Sequence, residues 1–161
     1  MTGAKILLVD DEKEFLNVLS DRLAKRGFQV FSAGGGREAL TMLRASPDFE
    51  VVALDFRMPG LDGVETLKLI KKEHPLLEVL ILTGHSTVES GVEGIKHGAF
   101  DYLTKPCEID DLAAKINQAA ALKWKHENDL VSVRSSPPHA RRQLAEKMDH
   151  AVKRALGFSD D

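Results

Sequence analysis

Five short apolar stretches alternate with five segments of helical periodicity through most of this 161-residue chain, and few folds accommodate that order. Ile6-Leu7-Leu8-Val9, Val51-Val52-Ala53-Leu54 and Val79-Leu80-Ile81-Leu82 are apolar throughout, with no period-two alternation. Strands covered on both faces of a parallel sheet read this way. Phe28, Val30 and Phe31 make a second strand, and Ala99-Phe100 with Tyr102-Leu103 a fifth. Between them, helical spacing joins Phe15, Leu16, Leu19 and Leu23, then Ala39, Leu40 and Leu43, then Val64, Leu67 and Ile70. Val88, Val92 and Ile95 are expected to face inward from a fourth helix that Ser86 and Glu89 open as a capping box. Leu112, Ile116 and Ala119 mark the fifth. Gly27 and Gly98 sit where the first and fourth helices should stop. The expected fold is α/β, a doubly wound five-stranded parallel sheet with right-handed crossovers and helices on both faces.

That fold brings chemistry to one edge. Asp10-Asp11, Asp55, Thr83 and Lys105 each close or directly follow a strand, so all of them reach the carboxyl ends of the strands. Open α/β sheets bind ligands there. Three clustered carboxylates repel one another and need a compensating charge, which Mg²⁺ supplies through its preference for oxygen ligands. A carboxylate can accept a phosphoryl group as an aspartyl phosphate. An ammonium and a hydroxyl beside it would neutralise and hydrogen-bond the transferred oxygens. Taken singly, each residue is commonplace: Asp favours caps and turns, a strand-end Thr is usually structural, and a lone Lys is usually solvated. Their joint placement at corresponding strand ends is not.

Four stretches carry a resemblance: Ile6-Leu7-Leu8-Val9-Asp10-Asp11-Glu12, the run from Val52 through Asp55 to Gly63, Leu82-Thr83-Gly84-His85, and the run from Gly98 through Tyr102 to Lys105-Pro106. Together they resemble the CheY-like receiver domain of two-component response regulators, over about residues 4–123. The Gly98–Pro106 wording is most similar to receivers of sigma-54 activators of the NtrC type. The resemblance implies strand order 2-1-3-4-5 and Asp55 as phosphoacceptor. It also implies Mg²⁺ bound by Asp11 and Asp55, with Asp10 acting through water and the Arg57 backbone carbonyl as a further ligand. Thr83 would contact the phosphoryl group and swing toward it, and Lys105 would pair with it. Tyr102 would turn inward behind Thr83, changing the surface of the fourth helix, fifth strand and fifth helix. The Lys105–Pro106 bond would be cis, and Arg57 and His85 would tune the lifetime of the phosphoryl group. Implied partners are a sensor histidine kinase or phosphotransfer protein, a downstream protein target and a possible second copy. The chain would assist its own phosphorylation and dephosphorylation rather than turn over a substrate.

Three rival readings compete on the same residues. Gly34-Gly35-Gly36-Arg37-Glu38-Ala39 matches a dinucleotide fingerprint, but it follows the second strand instead of the first and leaves the acidic edge idle. A phosphohydrolase of the haloacid-dehalogenase kind needs a second Asp two residues after the nucleophile, where this chain has Arg57. A receiver-like interaction module that never accepts phosphate would usually lack the acidic pair or the acceptor, and both are here.

Composition narrows the setting. A net charge of −3 points to neither nucleic acid nor a membrane surface, and no apolar run approaches a membrane span. The N-terminus has no signal-peptide pattern, and one cysteine, Cys107, excludes an internal disulfide and agrees with a reducing cytoplasm. Cys107 reads as a packing residue, and Trp124 is expected to be covered. The organisation expected is a receiver over 1–125, a linker at 126–138 marked by Ser135-Ser136-Pro137-Pro138, an amphipathic helix at 139–157 and a tail at 158–161. Leu144, Met148, Val152 and Leu156 give that helix its stripe. The 36 residues after 125 are short for an output domain, so a stand-alone regulator is expected, with a flexible remnant of a truncated chain as the alternative.

Overall fold

The computed structural model describes residues 3–56, 62–84 and 88–134. Five strands and five helices alternate: β1 (Lys5–Val9), α1 (Lys13–Ala24), β2 (Gln29–Ala33), α2 (Gly36–Ala45), β3 (Val51–Leu54), α3 (Gly63–Glu73), β4 (Glu78–Thr83), α4 (Val88–Lys96), β5 (Asp101–Thr104) and α5 (Ile109–Arg134). The strands form one parallel sheet in the order β2-β1-β3-β4-β5. Gly27 and Gly98, at φ 95° and 96°, occupy the left-handed conformation that ends α1 and α4.

Alternate strand residues feed two cores. Leu7, Val9, Val52, Leu54, Val79 and Ile81 pack against α2 and α3 through Leu40, Leu43, Leu67 and Ile70. Ile6, Leu8, Val51, Ala53, Leu80 and Leu82 pack on the opposite face against Leu16, Leu19 and Leu23 of α1 and Leu112, Ile116 and Ala119 of α5. Because β1, β3 and β4 are covered on both sides, their sequences have no polar face to alternate with. Truncating a buried residue such as Leu112 or Ile116 to Ala costs about 2–5 kcal/mol.

Three expectations are corrected. Val92 and Ile95 do not face inward: they are 54% and 49% exposed, and the buried side of α4 carries Gly91 and Gly94. The glycines let the α4 backbone approach the sheet closely, and that approach turns the neighbouring apolar side chains outward. Trp124 is 67% exposed. It lies about 120° around the helix from the Leu112–Ile116–Ala119 stripe at 3.6 residues per turn. The linker expected to begin at 126 begins as helix, since α5 runs unbroken to Arg134 with His126 and Leu130 buried on the same stripe. The polar composition from 126 reads as a break, whereas α5 continues as helix and keeps its buried stripe through Leu130. The Ser86 cap, residues 135–138 and the helix expected at 139–157 lie outside the described residues.

Candidate functional site

Parallel register places the ends of β1, β3 and β4 side by side, with Val9 opposite Leu54 and Leu54 opposite Ile81. Asp10 and Asp55 follow Val9 and Leu54 directly, and both are buried. Backbone bonds hold the strand ends: Asp10 N–H donates to the Ala33 carbonyl at 3.2 Å, and Asp55 N–H to the Val9 carbonyl at 3.0 Å. Asp10 Oδ1 accepts from the Glu12 N–H at 3.0 Å, turning the chain into α1.

On the far side, the return into α3 is tight. A Cβ on Gly63 would stand 2.3 Å from Phe56 Cα and 2.8 Å from the Asp55 carbonyl oxygen, so only glycine fits against the strand end. Asp62 caps α3 by accepting from Glu65 N–H at 2.8 Å. Asp55 is thus fixed by a strand on one side and a closed loop base on the other.

Oxygens of Asp10, Asp11 and Asp55 all lie within 4.8 Å of one another, with Asp11 exposed and the other two buried. Lys105 reaches this cluster from β5. Its ammonium pairs with Asp10, lies 3.7 Å from Asp55 Oδ2 and 4.0 Å from Glu12 Oε1. Its backbone N–H donates to the Thr83 carbonyl at 2.9 Å, which ties the segment after β5 to the end of β4. The Lys105–Pro106 peptide is cis. Thr83 is buried at the end of β4, and Tyr102 lies on β5 opposite Ile81, 39% exposed.

The structure therefore brings together Asp10, Asp11, Asp55 and Lys105, with Thr83 on the adjoining strand end. Arg57 and His85 lie outside the described residues. Two neighbours escaped the reading of the sequence as site residues. The Phe15 ring lies 4.1 Å from the Lys105 ammonium, and Glu12 faces the same cation. Phe15 follows Asp11 by one helical turn, the spacing that could have pointed to it, but it read as core. Burial, with Asp111 beside it, pushes the Cys107 thiol up from its ordinary value, which leaves it a packing residue and not a reactive thiolate.

A sheet edge with an acidic trio and one engaged ammonium, on order 2-1-3-4-5, defines a doubly wound α/β module with its candidate site at the carboxyl ends of the strands. The chain belongs to the response regulator receiver domain family, whose sequence profile matches residues 6–117. It is 43% identical over 116 residues to the transcriptional regulatory protein ZraR of Escherichia coli K12, a match covering 72% of this chain and 26% of that protein. It is 41% identical over 114 residues to the DNA-binding transcriptional regulator NtrC of Salmonella typhimurium, covering 71% and 24%. The chain thus spans about a quarter of the length of these relatives. Among solved structures, a receiver domain protein from Clostridium thermocellum superposes with a TM-score of 0.71 at 38% identity, covering 74% of this chain and 96% of that one. The expected likeness to NtrC-type receivers agrees with these relatives. Among the described residues no helix is long and apolar enough to cross a membrane.

Proposed function

We propose that this chain accepts a phosphoryl group on Asp55 from the phosphohistidine of a sensor kinase or phosphotransfer protein and uses it to alter a protein-binding surface. The observation that supports this best is the convergence of three carboxylates within 4.8 Å around an ammonium at adjoining strand ends. An Asp55 carboxylate oxygen forms the new O–P bond as the donor's N–P bond breaks, and the freed imidazole nitrogen takes a proton from water. Lys105 shifts from Asp10 toward a phosphoryl oxygen, and the Thr83 hydroxyl donates to another. Tyr102 then turns inward behind Thr83.

The donor set is all hard oxygen and over-acidic for one lysine, which fits Mg²⁺. Asp10, Asp11 and Asp55, with the Arg57 carbonyl, would hold it, and once bound it would offset charge on the carboxylates and the incoming phosphoryl oxygens. Arg57 and His85 set the lifetime of the phosphoryl group in this reading. Val92, Ile95 and Tyr102 expose apolar surface on α4 and β5, the region that would change shape. The proposed contacts are with proteins, including a downstream target and a possible second copy, rather than nucleic acid or membrane, in the cytoplasm. Residues 126–161 would serve as an extension of the receiver, with the helix at 139–157 as a contact element.

Intact mass after incubation with acetyl phosphate and Mg²⁺ tests the reading. Wild type should gain one phosphoryl group, about 80 Da, and Asp55→Asn none. No gain by folded wild type sinks the proposal in favour of a phosphorylation-independent binding module.

A further inference from the structure

Gly91 and Gly94, one turn apart, press on different neighbours. A Cβ on Gly94 would stand 3.2 Å from Ile81 Cγ1 and 3.2 Å from Phe56 Cζ, a contact that a shift of tenths of an ångström would relieve. A Cβ on Gly91 would stand 2.7 Å from Tyr102 Cε1 and 3.0 Å from both Cδ1 and Cζ. Three consecutive atoms along one ring edge are involved, and an aromatic ring can only move as a rigid plate about two torsions. Glycine is also the poorest helix former after proline, so its place in the middle of α4 favours close approach and not helix stability. Tyr102 rests in a seat made of bare helix backbone.

We propose that Gly91 is a positioning residue for the switch: its missing side chain makes room for the outward placement of Tyr102, and so sets how readily the ring turns toward Thr83. This rests on the reading of Tyr102 as the residue that moves on phosphorylation. Tyr102 is the register partner of Ile81, two residues before Thr83 on β4, so the inward path runs along one face of the sheet. Gly94 holds the next turn of α4 down on Ile81 and Phe56, which limits how far the helix can lift to accommodate a larger residue at 91. A Cβ at 91 therefore penalises the outward placement selectively. Penalising one of two placements moves population to the other.

The sole tyrosine of the chain is Tyr102, so a full-length sample with ¹³C-labelled tyrosine reports this ring alone. Spectra of wild type and Gly91→Ala would be recorded free and with Mg²⁺ and beryllofluoride as phosphoryl mimic. The free Gly91→Ala resonances should move in the direction that beryllofluoride moves those of wild type. Phosphorylation by acetyl phosphate should accelerate about threefold or more, as expected when the competent population rises. The rate effect should vanish in a Tyr102→Ala background, where Gly91→Ala should raise Tm through helix propensity. Superposable free spectra, with wild type still responding to beryllofluoride, overturn the inference and leave the switch reading standing. A wild-type ring that stays put while Asp55 takes phosphate overturns the switch reading and the inference with it. If Gly91→Ala fails to fold, the Tyr102→Ala background decides: failure there too means that Gly91 serves the backbone and not the ring.

Discussion

Two lysines lie at opposite ends of the same sheet, and their surroundings differ in one decisive way. Lys5, at the amino end of β1, is 17% exposed and meets one carboxylate, Asp48, at 2.6 Å. The Ser46 hydroxyl at 2.8 Å and the rings of Phe31 and Phe49 at 5.2 and 4.5 Å complete its surroundings. Charge is balanced there, and the result is a clasp that ties β1 to the loop before β3. Lys105, at the carboxyl edge, is 13% exposed and faces Asp10, Asp55 and Glu12, with Asp11 alongside. Among the described residues one ammonium faces several carboxylates, so this edge is rich in negative charge. Similar burial and the same side chain produce a fastener in one place and an acid-rich candidate site in the other. The number of acids within reach decides which.

Neutralising each lysine would sharpen the contrast most. Lys105→Met should slow phosphorylation by acetyl phosphate by roughly 100-fold, the scale expected for losing one charge-stabilising donor. Lys5→Met should leave that rate unchanged, and a comparable loss in both variants would break the comparison.

Added Mg²⁺ should raise the Tm of wild type by several degrees, since a ligand held only by the folded chain stabilises it by mass action, about 2.7 kcal/mol at a hundredfold excess over Kd. Asp11→Asn should lose most of that response while melting at or above wild type without metal, because like charge has been removed. A Tm indifferent to Mg²⁺ in wild type would argue that the acidic edge is already balanced.

At the amino end, Lys5→Met should lower Tm by roughly 2–6 °C, through loss of modest cation–π and ion-pair terms. Mg²⁺ should not change that difference.

The smallest effect follows pH. The hydrogen bond from Lys5, then that from Ser46, holds the Asp48 carboxyl below its ordinary value. A depressed folded value contributes stability above the unfolded pKa of about 3.9 and loses it as pH falls through the folded one. The Tm gap between wild type and Lys5→Met should therefore be steady at neutral pH and narrow below about pH 4. A gap that stays constant down through pH 4 would show that the clasp works through the aromatic rings and not through Asp48.

The carboxyl edge was more legible in the sequence than any single helix face. Asp10, Asp55, Thr83 and Lys105 are placed by strand ends, and strand ends follow from apolar runs whose length and lack of alternation leave little choice. The face of α4 was misread because Val88, Val92 and Ile95 satisfy a helical period as well as any core helix does. Which stripe turns inward depends on how closely the helix can approach the sheet, and that is a property of Phe56, Ile81 and Tyr102. Phe15 was missed for a related reason: a ring that packs on a core and covers an ammonium has the same sequence signature as one that only packs.

From the order and chemistry of its residues alone, the chain determined five strands, five helices, a parallel doubly wound sheet and the gathering of acids on one edge. Those depend on local pattern and on connection rules that hold regardless of detail. The tertiary structure decided what depends on distances between separate elements. Lys105 lies nearer Asp10 than Asp55, α5 continues past residue 126, Trp124 faces solvent, and Tyr102 lies on bare backbone at Gly91. Each of these is settled by competition for space or charge among residues far apart in sequence, and no local period records the outcome.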